Sequence, residues 1–108
     1  MISSYQAMWL LVVFDLPVLT KKQMKAAREF RDNLISNGFI MVQYSVYMRH
    51  VPTLSLKEKH IRRISRLIPE EGSIIIYTMT DKQYADARCF QGSKAVDPIK
   101  QPTLFDEF

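Results

Sequence analysis

The feature that most constrains the fold is a short stretch near the N-terminus that is apolar at every position. It spans residues 7–14, the longest apolar run in the chain, and Asp15 and Pro17 close it. Consecutive apolar residues are typical of a strand that is buried on both faces. A transmembrane helix needs about 20 such residues, and no basic segment or cleavage pattern frames this run. We therefore predict a strand over residues 8–15 and no membrane association.

The composition narrows the class of protein. A chain of 108 residues, 47% of them hydrophobic, is long enough for one domain with its own core. The single cysteine, Cys89, excludes an intrachain disulfide. His50 and His60 have no other soft ligand nearby in the sequence, which argues against a zinc site. These features predict a reduced, soluble, cytoplasmic protein.

A helix is predicted directly after the first strand. Thr20 is its expected N-cap, and the helix should run to about Ser36 and end at Asn37-Gly38. Five apolar residues recur at helical spacing and are expected to face a sheet: Met24, Ala27, Phe30, Leu34 and Ile35. The sequence thus begins with a strand and a helix that packs on it.

The rest of the chain continues this alternation. Residues 39–48 switch to period two, with even-numbered side chains on one face and odd-numbered ones on the other. A second helix is predicted over residues 55–68, a strand over residues 73–80 and a short strand over residues 87–91. Three residues of the second helix are expected to point inward: Ile61, Ile64 and Ile68. The order is read as β-α-β-β-α-β.

This order indicates an α+β protein with the ferredoxin-like fold, an antiparallel sheet with two helices on one face. The helices can cover only one side of the first strand, and Trp9, Leu11 and Val13 point to the other side. A second copy of the same sheet would bury these side chains. We therefore predict a homodimer that forms through the sheet face opposite the helices.

Asp15 is the first candidate functional residue. It ends the first strand on the Trp9-Leu11-Val13 face, where a carboxylate needs solvent, a hydrogen bond or a metal. One interpretation is that Asp15 caps the Leu16-Pro17 turn. The other is a magnesium site, because Mg²⁺ takes only one or two carboxylates. Two Asp15 side chains near a two-fold axis would hold one ion that helps to activate water for phosphodiester cleavage.

Positive charge is concentrated on the two predicted helices. They carry net charges of +3 and +4, so the rest of the chain is net negative. The candidate nucleic-acid-binding residues are Lys21, Lys22, Lys25, Arg28 and Arg31 on the first helix and Lys59, Arg62, Arg63 and Arg66 on the second. A solvated helix face is the ordinary interpretation of such residues. A stripe of like charges repels itself, however, which favours sequence-independent contact with a phosphate backbone.

Other chemistry is less well supported. Tyr44, Tyr47 and Tyr77 lie on predicted strands, where a core or interface position is more usual than base stacking. Ser45 has no recognisable histidine base. Three glycines are too few for a glycine-rich phosphate loop. The candidate chemistry is therefore that of Asp15 and the basic helices.

Motifs along the chain resemble those of a known family. The chain resembles the second CRISPR-associated (Cas) protein family, the small ferredoxin-like endoribonucleases of spacer adaptation, in four segments: Phe14-Asp15-Leu16-Pro17, Gly38-Phe39, Val42-Gln43-Tyr44-Ser45-Val46-Tyr47 and Tyr77-Thr78. The resemblance covers roughly residues 8–92. Its most specific part is Gln43-x-Ser45-Val46-Tyr47.

The resemblance implies a function and a set of partners. It implies a homodimer in which Asp15 is the catalytic and metal-binding residue of a Mg²⁺- or Mn²⁺-dependent phosphodiester hydrolase that acts on single-stranded RNA or on DNA. It also implies a role in CRISPR adaptation, in which the dimer lies between two dimers of the CRISPR integrase partner and its basic helices hold a prespacer DNA duplex. Residues 1–92 would form the domain, and a tail of residues 93–108 would pair with the partner subunit.

Two other functions fit the same residues. One is a toxin-type endoribonuclease of similar fold, which gene neighbourhood would distinguish. The other is a ferredoxin-like regulatory module that binds a small ligand and has no affinity for nucleic acid. Within the resemblance, a non-catalytic DNA-binding adaptor and a metal-dependent phosphodiesterase share the fold, the dimer and Asp15, so the sequence does not separate them.

Overall fold

The computed structural model describes residues 8–98 of the chain. Within this range the elements are β1 (Met8–Asp15), α1 (Lys21–Ser36), β2 (Ile40–Gln43), β3 (Val46–Val51), α2 (Leu54–Ser65), β4 (Ser73–Thr80), α3 (Asp81–Ala85), β5 (Cys89–Gln91) and β6 (Lys94–Val96). The first six elements follow the β-α-β-β-α-β order, in which residues 40–51 form two strands where the sequence predicted one over residues 39–48. No helix in the described part of the chain is long and apolar enough to span a bilayer.

The first strand lies inside a four-stranded antiparallel sheet whose order is β2-β3-β1-β4. β1 pairs with β3 on one side, from Met8 opposite Val51 to Val13 opposite Val46. It pairs with β4 on the other side along its whole length. An interior strand has no solvent edge, which agrees with its unbroken apolar sequence. The predicted bounds of β1 and the predicted ferredoxin-like α+β fold are confirmed.

Both long helices pack on the same face of this sheet. The core is a single cluster of buried side chains: Leu10, Val12, Phe14, Phe30, Leu34, Phe39, Tyr47, Val51 and Ile64. Within it the Phe30 ring of α1 meets the Phe14 ring of β1 edge to face, with centroids 5.1 Å apart. Since α1 and α2 share one core with β1, their outward surfaces lie on the same side of the molecule.

The buried side of each helix is narrower than its sequence predicts. α1 buries Ala27, Phe30 and Leu34, whereas Met24 and Ile35 are exposed, so the prediction that these two face the sheet is wrong. Met24 and Ile35 are exposed because they lie at the margins of the helix face that Ala27, Phe30 and Leu34 form. Ile68 is also exposed, since α2 ends at Ser65 and not at residue 68.

α1 begins with the predicted cap. The Thr20 hydroxyl accepts a hydrogen bond from the Gln23 N–H at 3.1 Å, and the Gln23 side-chain oxygen accepts the Thr20 N–H at 3.0 Å. This reciprocal pair is a capping box. The Gln23 side chain also donates to Glu71 at 2.9 Å, which ties the start of α1 to the segment before β4.

The continuous alternating strand predicted over residues 39–48 is wrong, because the chain folds back within it. β2 and β3 form an antiparallel hairpin whose turn is Tyr44-Ser45. The pairing shifts between Met41 and Gln43, so that Val42 is an extra residue on β2. Ser45 has φ +70°, a backbone conformation that a period-two pattern does not anticipate.

The Ser45 conformation leads to a stability prediction. A non-glycine residue in the left-handed region costs roughly 1–2 kcal/mol, which glycine avoids at an entropic cost of about 0.5–1 kcal/mol. We expect Ser45→Gly to raise the free energy of unfolding by up to about 1 kcal/mol, measured by urea denaturation. Ser55→Gly, the control within helix α2, should lower it. A Ser45→Gly protein less stable than the wild type would contradict the φ assignment.

The sheet face opposite α1 and α2 is apolar and is covered at one end only. There α3 packs over Trp9, whose ring stacks on Tyr84 with centroids 4.4 Å apart and whose Nε1 donates to Asp81 at 2.8 Å. Trp9 is consequently 2% exposed. The expectation that Trp9 needs cover from a second copy is therefore wrong, because α3, which the sequence analysis did not predict, supplies it.

Most of the rest of this sheet face is open to solvent within the described chain. Leu11 and Val13 of β1 are half-buried, and Ile75 and Tyr77 of β4 are exposed beside them. We call these four side chains, together with the neighbouring Ile40 of β2, the outer face. The predicted homodimer through this face stays a prediction, since the structure describes one chain.

The short C-terminal strands form a separate hairpin. β5 pairs antiparallel with β6 in a two-stranded sheet, so the strand predicted over residues 87–91 is shorter than expected and does not join the main sheet. The predicted boundary at residue 92 falls in the turn of this hairpin. Of the tail of residues 93–108, predicted to pair with a partner subunit, β6 pairs with β5 of the same chain, and residues 99–108 lie outside the described residues.

Candidate functional site

Asp15 is the last residue of β1, and it is exposed. Strand alternation places its side chain on the outer-face side of the sheet, as predicted, opposite Ser73 of β4. The backbone after it is packed closely, since a Cβ added to Gly72 would lie 2.8 Å from the Asp15 carbonyl oxygen. In the described residues the Leu16-Pro17 turn donates no hydrogen bond to the Asp15 carboxylate. The carboxylate therefore points into solvent and is available to a ligand.

The donor groups in the described part of one chain do not enclose a metal ion. Within residues 8–98 no three His, Cys, Asp or Glu side chains converge to form a metal site. Mg²⁺ ordinarily takes one or two carboxylates and fills its remaining positions with water and substrate oxygens. Among the described residues Asp15 thus offers one carboxylate ligand, and a second copy of the chain would offer another.

The basic residues of α1 lie mainly on its solvent side. Lys21, Lys22, Lys25 and Arg28 are exposed, and Arg31 is half-buried. The first turn holds no acidic residue, although negative charge is what stabilises a helix N-terminus. Lys25 lies 3.9 Å from Glu29, and such exposed pairs contribute little to stability. The start of α1 therefore carries positive charge that the helix itself does not require.

α2 carries a more compact stripe of positive charge. Lys59, Arg62 and Arg63 are exposed along the helix, and Arg66 is its exposed C-cap residue. We call these four residues the α2 stripe. Among the described residues none of the four has a carboxylate at ion-pairing distance. The stripe is therefore not neutralised within the described chain, and an anionic partner would be attracted to it.

A buried basic cluster lies beneath the α2 stripe. His60 is 5% exposed, and its Nδ1 has no hydrogen-bond partner in the described chain. Burial, followed by the charges of Arg49, Arg63 and Lys59, lowers the pKa of His60 to about 4. His60 is thus neutral at neutral pH, and all the charges that shift it are positive.

Arg49 of β3 connects this cluster to the end of α1. Its Nη1 donates to the Asn37 carbonyl oxygen at 2.6 Å, which satisfies a carbonyl group at the negative end of the helix. The guanidinium lies where a Cβ on Gly38 would be, and Gly38 also has φ +83°. Burial and the charge of Arg63 lower the pKa of Arg49.

Neither Arg49 nor His60 was predicted as a functional residue, although the sequence carries a signal for each. His60 precedes the buried Ile64 by four residues and so shares its helix face. Arg49 alternates with Tyr47 and Val51 on the core-facing side of β3. A polar residue at a core position of an amphipathic pattern is the informative exception.

The three tyrosines considered for base stacking have separate environments. Tyr47 is buried in the core and stacks on Phe14 with centroids 5.7 Å apart, which confirms the core interpretation. Tyr77 is exposed on the outer face. Tyr44 lies in the β2–β3 turn, so its predicted place on a strand is wrong, and it is 77% exposed.

The candidate residues fall into two groups on opposite sides of the sheet. The basic residues of α1 and α2 lie on the helical side, and Asp15 lies at the end of β1 on the outer-face side. The structure therefore places the basic residues of both helices on one side of the sheet and the Asp15 carboxylate on the other side.

Comparison with known proteins assigns this arrangement to a family. The family model for CRISPR associated protein Cas2 matches residues 8–87, from the start of β1 to just beyond α3. The chain belongs to the Cas2 family. The resemblance inferred from the motifs is thereby confirmed, and the matched segment contains Asp15, the α2 stripe and the Tyr44-Ser45 turn.

Relatives in the Cas2 family match over nearly the whole chain. A CRISPR-associated endoribonuclease Cas2 of Flavobacterium psychrophilum is 40% identical over 107 residues, which cover 96% of this chain and 93% of the relative. A CRISPR-associated endoribonuclease Cas2 of Paracidovorax avenae is 40% identical over 108 residues, all of both chains. A crystal structure of a Cas2 protein superposes with a TM-score of 0.56 at 18% identity, covering 90% of this chain and 99% of that one, which supports the fold.

Proposed function

We propose that this Cas2-family chain is a CRISPR adaptation protein that binds duplex DNA through the basic residues of α1 and α2. The observation that carries the proposal is the α2 stripe, whose four cations have no carboxylate partner in the described chain. The stripe faces solvent on the same side of the molecule as the basic residues of α1. Contacts of this kind recognise phosphates and not base sequence. A prespacer duplex, whose base sequence is arbitrary, can be bound through such phosphate contacts.

The proposed assembly is a homodimer formed through the outer face. Leu11, Val13, Ile75 and Tyr77 form an apolar surface that a second copy would cover. Two-fold pairing doubles the number of basic helices in the assembly. The CRISPR integrase partner is proposed as the protein with which this dimer acts, and the tail of residues 93–108 as a segment that pairs with the partner subunit.

A phosphodiesterase activity is proposed for the dimer in addition to duplex binding. Relatives of the chain are named CRISPR-associated endoribonucleases, and the exposed carboxylate of Asp15 is the group that fits such chemistry. Two Asp15 side chains near the axis of the dimer would hold one Mg²⁺ or Mn²⁺ ion. When bound, that ion supplies charge stabilisation of the phosphodiester and lowers the pKa of bound water. The proposed substrate is either single-stranded RNA or DNA of either form.

Duplex binding and cleavage should be separable by mutation. The α2 stripe and Asp15 lie on opposite sides of the sheet, so a change at one does not alter the contacts of the other. Membership of the Cas2 family favours this pair of activities over a toxin-type endoribonuclease or a small-ligand regulatory module.

Salt dependence tests the duplex-binding proposal. We expect the double variant Arg62→Ala/Arg63→Ala to make the negative slope of log K against log salt less steep by about 2 for each subunit in contact with a duplex, because each phosphate contact contributes about −0.9 to this slope. Fluorescence anisotropy of a labelled duplex between low and moderate salt measures this slope.

The control for this experiment is Arg88→Ala, which removes an exposed arginine outside α1 and α2. It should leave the slope within error of the wild type. Equal slopes for wild type and the double variant would show that the α2 stripe does not contact phosphates. Negligible duplex binding by the wild type at low salt would support the small-ligand module.

A further inference from the structure

The Tyr44-Ser45 turn has an aromatic ring where the fold does not need one. Tyr44 is 77% exposed at the tip of the β2–β3 hairpin. Its neighbour Tyr47 is fully packed in the core. Since an exposed turn position is ordinarily occupied by small or polar residues, the exposed ring of Tyr44 contributes little burial to the fold. It offers an aromatic surface to a ligand.

The turn is held in an unfavourable backbone conformation. Ser45 has φ +70° although it is not glycine, and Val42 is an extra residue in the strand that leads into the turn. The Ser45 carbonyl accepts the Phe14 N–H at 3.1 Å, which fixes the turn against β1. Strained turns of this kind are found where a side chain must be held in a defined position.

The turn is fixed beside the candidate metal ligand. Phe14, whose N–H the turn binds, immediately precedes Asp15 in β1. The hairpin tip and the Asp15 carboxylate therefore lie at the same end of the sheet. The Asp15 carboxylate lies on the outer-face side of this end and the Tyr44 ring lies next to Arg31 of α1, so a strand that contacted both would pass around the hairpin tip.

A cation lies over the Tyr44 ring. The Arg31 guanidinium of α1 is 5.8 Å from the centre of the ring, within the distance of a cation–π contact. This contact orients the ring and places a positive charge beside it. An aromatic ring next to a basic group is the combination that binds the base and the phosphate of an unpaired nucleotide.

We propose that Tyr44 is a stacking platform for an unpaired base of a single-stranded nucleic acid, and that Arg31 positions the ring and neutralises the adjacent phosphate. This inference rests on the proposed function and specifies the substrate class at the Asp15 end of the sheet. Interior bases of a duplex are covered above and below by their neighbours, whereas an unpaired base exposes its face to an aromatic side chain. Tyr44 therefore discriminates between single strands and duplexes, which the α2 stripe does not do.

The experiment compares three ligands on the full-length chain: a single-stranded RNA, a single-stranded DNA of the same sequence, and the corresponding DNA duplex. Tyr44→Ala should weaken binding of single strands about tenfold and change duplex binding less than twofold. Tyr44→Phe should bind like the wild type, because it keeps the ring. Phe90→Ala, which removes an exposed aromatic ring on β5, is the matched control and should bind like the wild type.

An abasic oligonucleotide makes the test specific for stacking. Without bases, the wild type and Tyr44→Ala should bind the same single strand with equal affinity, because only phosphate contacts remain. The loss of affinity that Tyr44→Ala causes, compared between the RNA and the DNA strand, identifies whether Tyr44 binds unpaired bases of RNA or of DNA more strongly.

Four results would overturn the inference. The first two are an equal loss of single-strand and duplex binding in Tyr44→Ala, and a loss of single-strand binding in Tyr44→Phe as large as in Tyr44→Ala. The third is a wild type that binds the duplex and no single strand. The fourth is a wild type that elutes as a dimer in size-exclusion chromatography while Tyr44→Ala elutes as a monomer. A wild type that binds neither form would overturn the proposed function as well. A failure of the Tyr44 inference alone is thus distinguishable from a failure of the proposed function.

Discussion

Asp15→Asn is expected to lose metal-dependent cleavage of single-stranded RNA and DNA by at least about a hundredfold, since loss of even an outer-shell partner of a metal ligand costs about 10–100-fold. The amide keeps the shape of the side chain but removes the negative charge that attracts the ion. Asp15 is exposed and accepts no hydrogen bond from its turn in the described residues. The variant should therefore fold as the wild type does, and its duplex binding should not change.

Cleavage of labelled RNA and DNA with Mg²⁺, with Mn²⁺ and with EDTA measures this effect. Asp86→Asn, which alters another exposed carboxylate, should cleave as the wild type does. Undiminished cleavage by Asp15→Asn would exclude Asp15 as the metal ligand.

Spacer acquisition with the integrase partner then separates the adaptor from the nuclease. If Asp15→Asn supports acquisition while cleavage is lost, the chain acts in adaptation as a DNA-binding body, as the opposite positions of Asp15 and the α2 stripe predict. If acquisition is lost while the folded complex still assembles, a purely scaffolding role is excluded.

A second large effect is expected from His60, as a loss of folding stability in mild acid. Its pKa in the folded protein is about 4, below the ordinary value of 6.5. Between these two values the unfolded chain binds a proton that the folded chain does not bind. The free energy of unfolding therefore decreases as the pH falls from 6.5 towards 4, by about 1.4 kcal/mol per pH unit at most. Over the whole window the loss attributable to His60 is on the order of 3 kcal/mol.

Urea denaturation at pH 7.5, 6.0 and 5.0 measures this loss, at one protein concentration because association also contributes to stability. His60→Leu removes the titrating group and should flatten the dependence over this range. His50→Gln, the control at the other histidine, should retain it. A wild type whose pH dependence equals that of His60→Leu would show that His60 is not held neutral by the fold.

Elements with strong local signals were predicted well. The bounds of β1 follow from an unbroken apolar run closed by Asp15 and Pro17, and α1 follows from its cap at Thr20 and its end at Gly38. Both signals are read within a few residues of the chain. Asp15 and the basic residues of the helices were predicted as candidates for the same reason, because residue type and local spacing were sufficient to find them.

Elements that depend on distant contacts were predicted poorly. The alternation of residues 39–48 continues in phase through the Tyr44-Ser45 turn, so periodicity alone gave no sign of the hairpin. α3 was not predicted, because its position depends on Trp9 of β1. The Trp9 Nε1 donates a hydrogen bond to Asp81, and the Trp9 ring stacks on Tyr84. A five-residue helix has little stability of its own, and its position depends on tertiary packing.

The sequence by itself determined the buried strand, the α+β order, the concentration of charge on two helices and the carboxylate that ends β1. These are properties of neighbouring residues, and local physical chemistry is enough to read them. Only the tertiary structure decided that Asp15 and the α2 stripe lie on opposite sides of the sheet, that His60 is buried among cations and that Tyr44 lies beside the end of β1. These relations join residues far apart in the chain, and pairing and packing create them. The apolar run at the N-terminus thus predicted a central strand, and the register of that strand placed the candidate site.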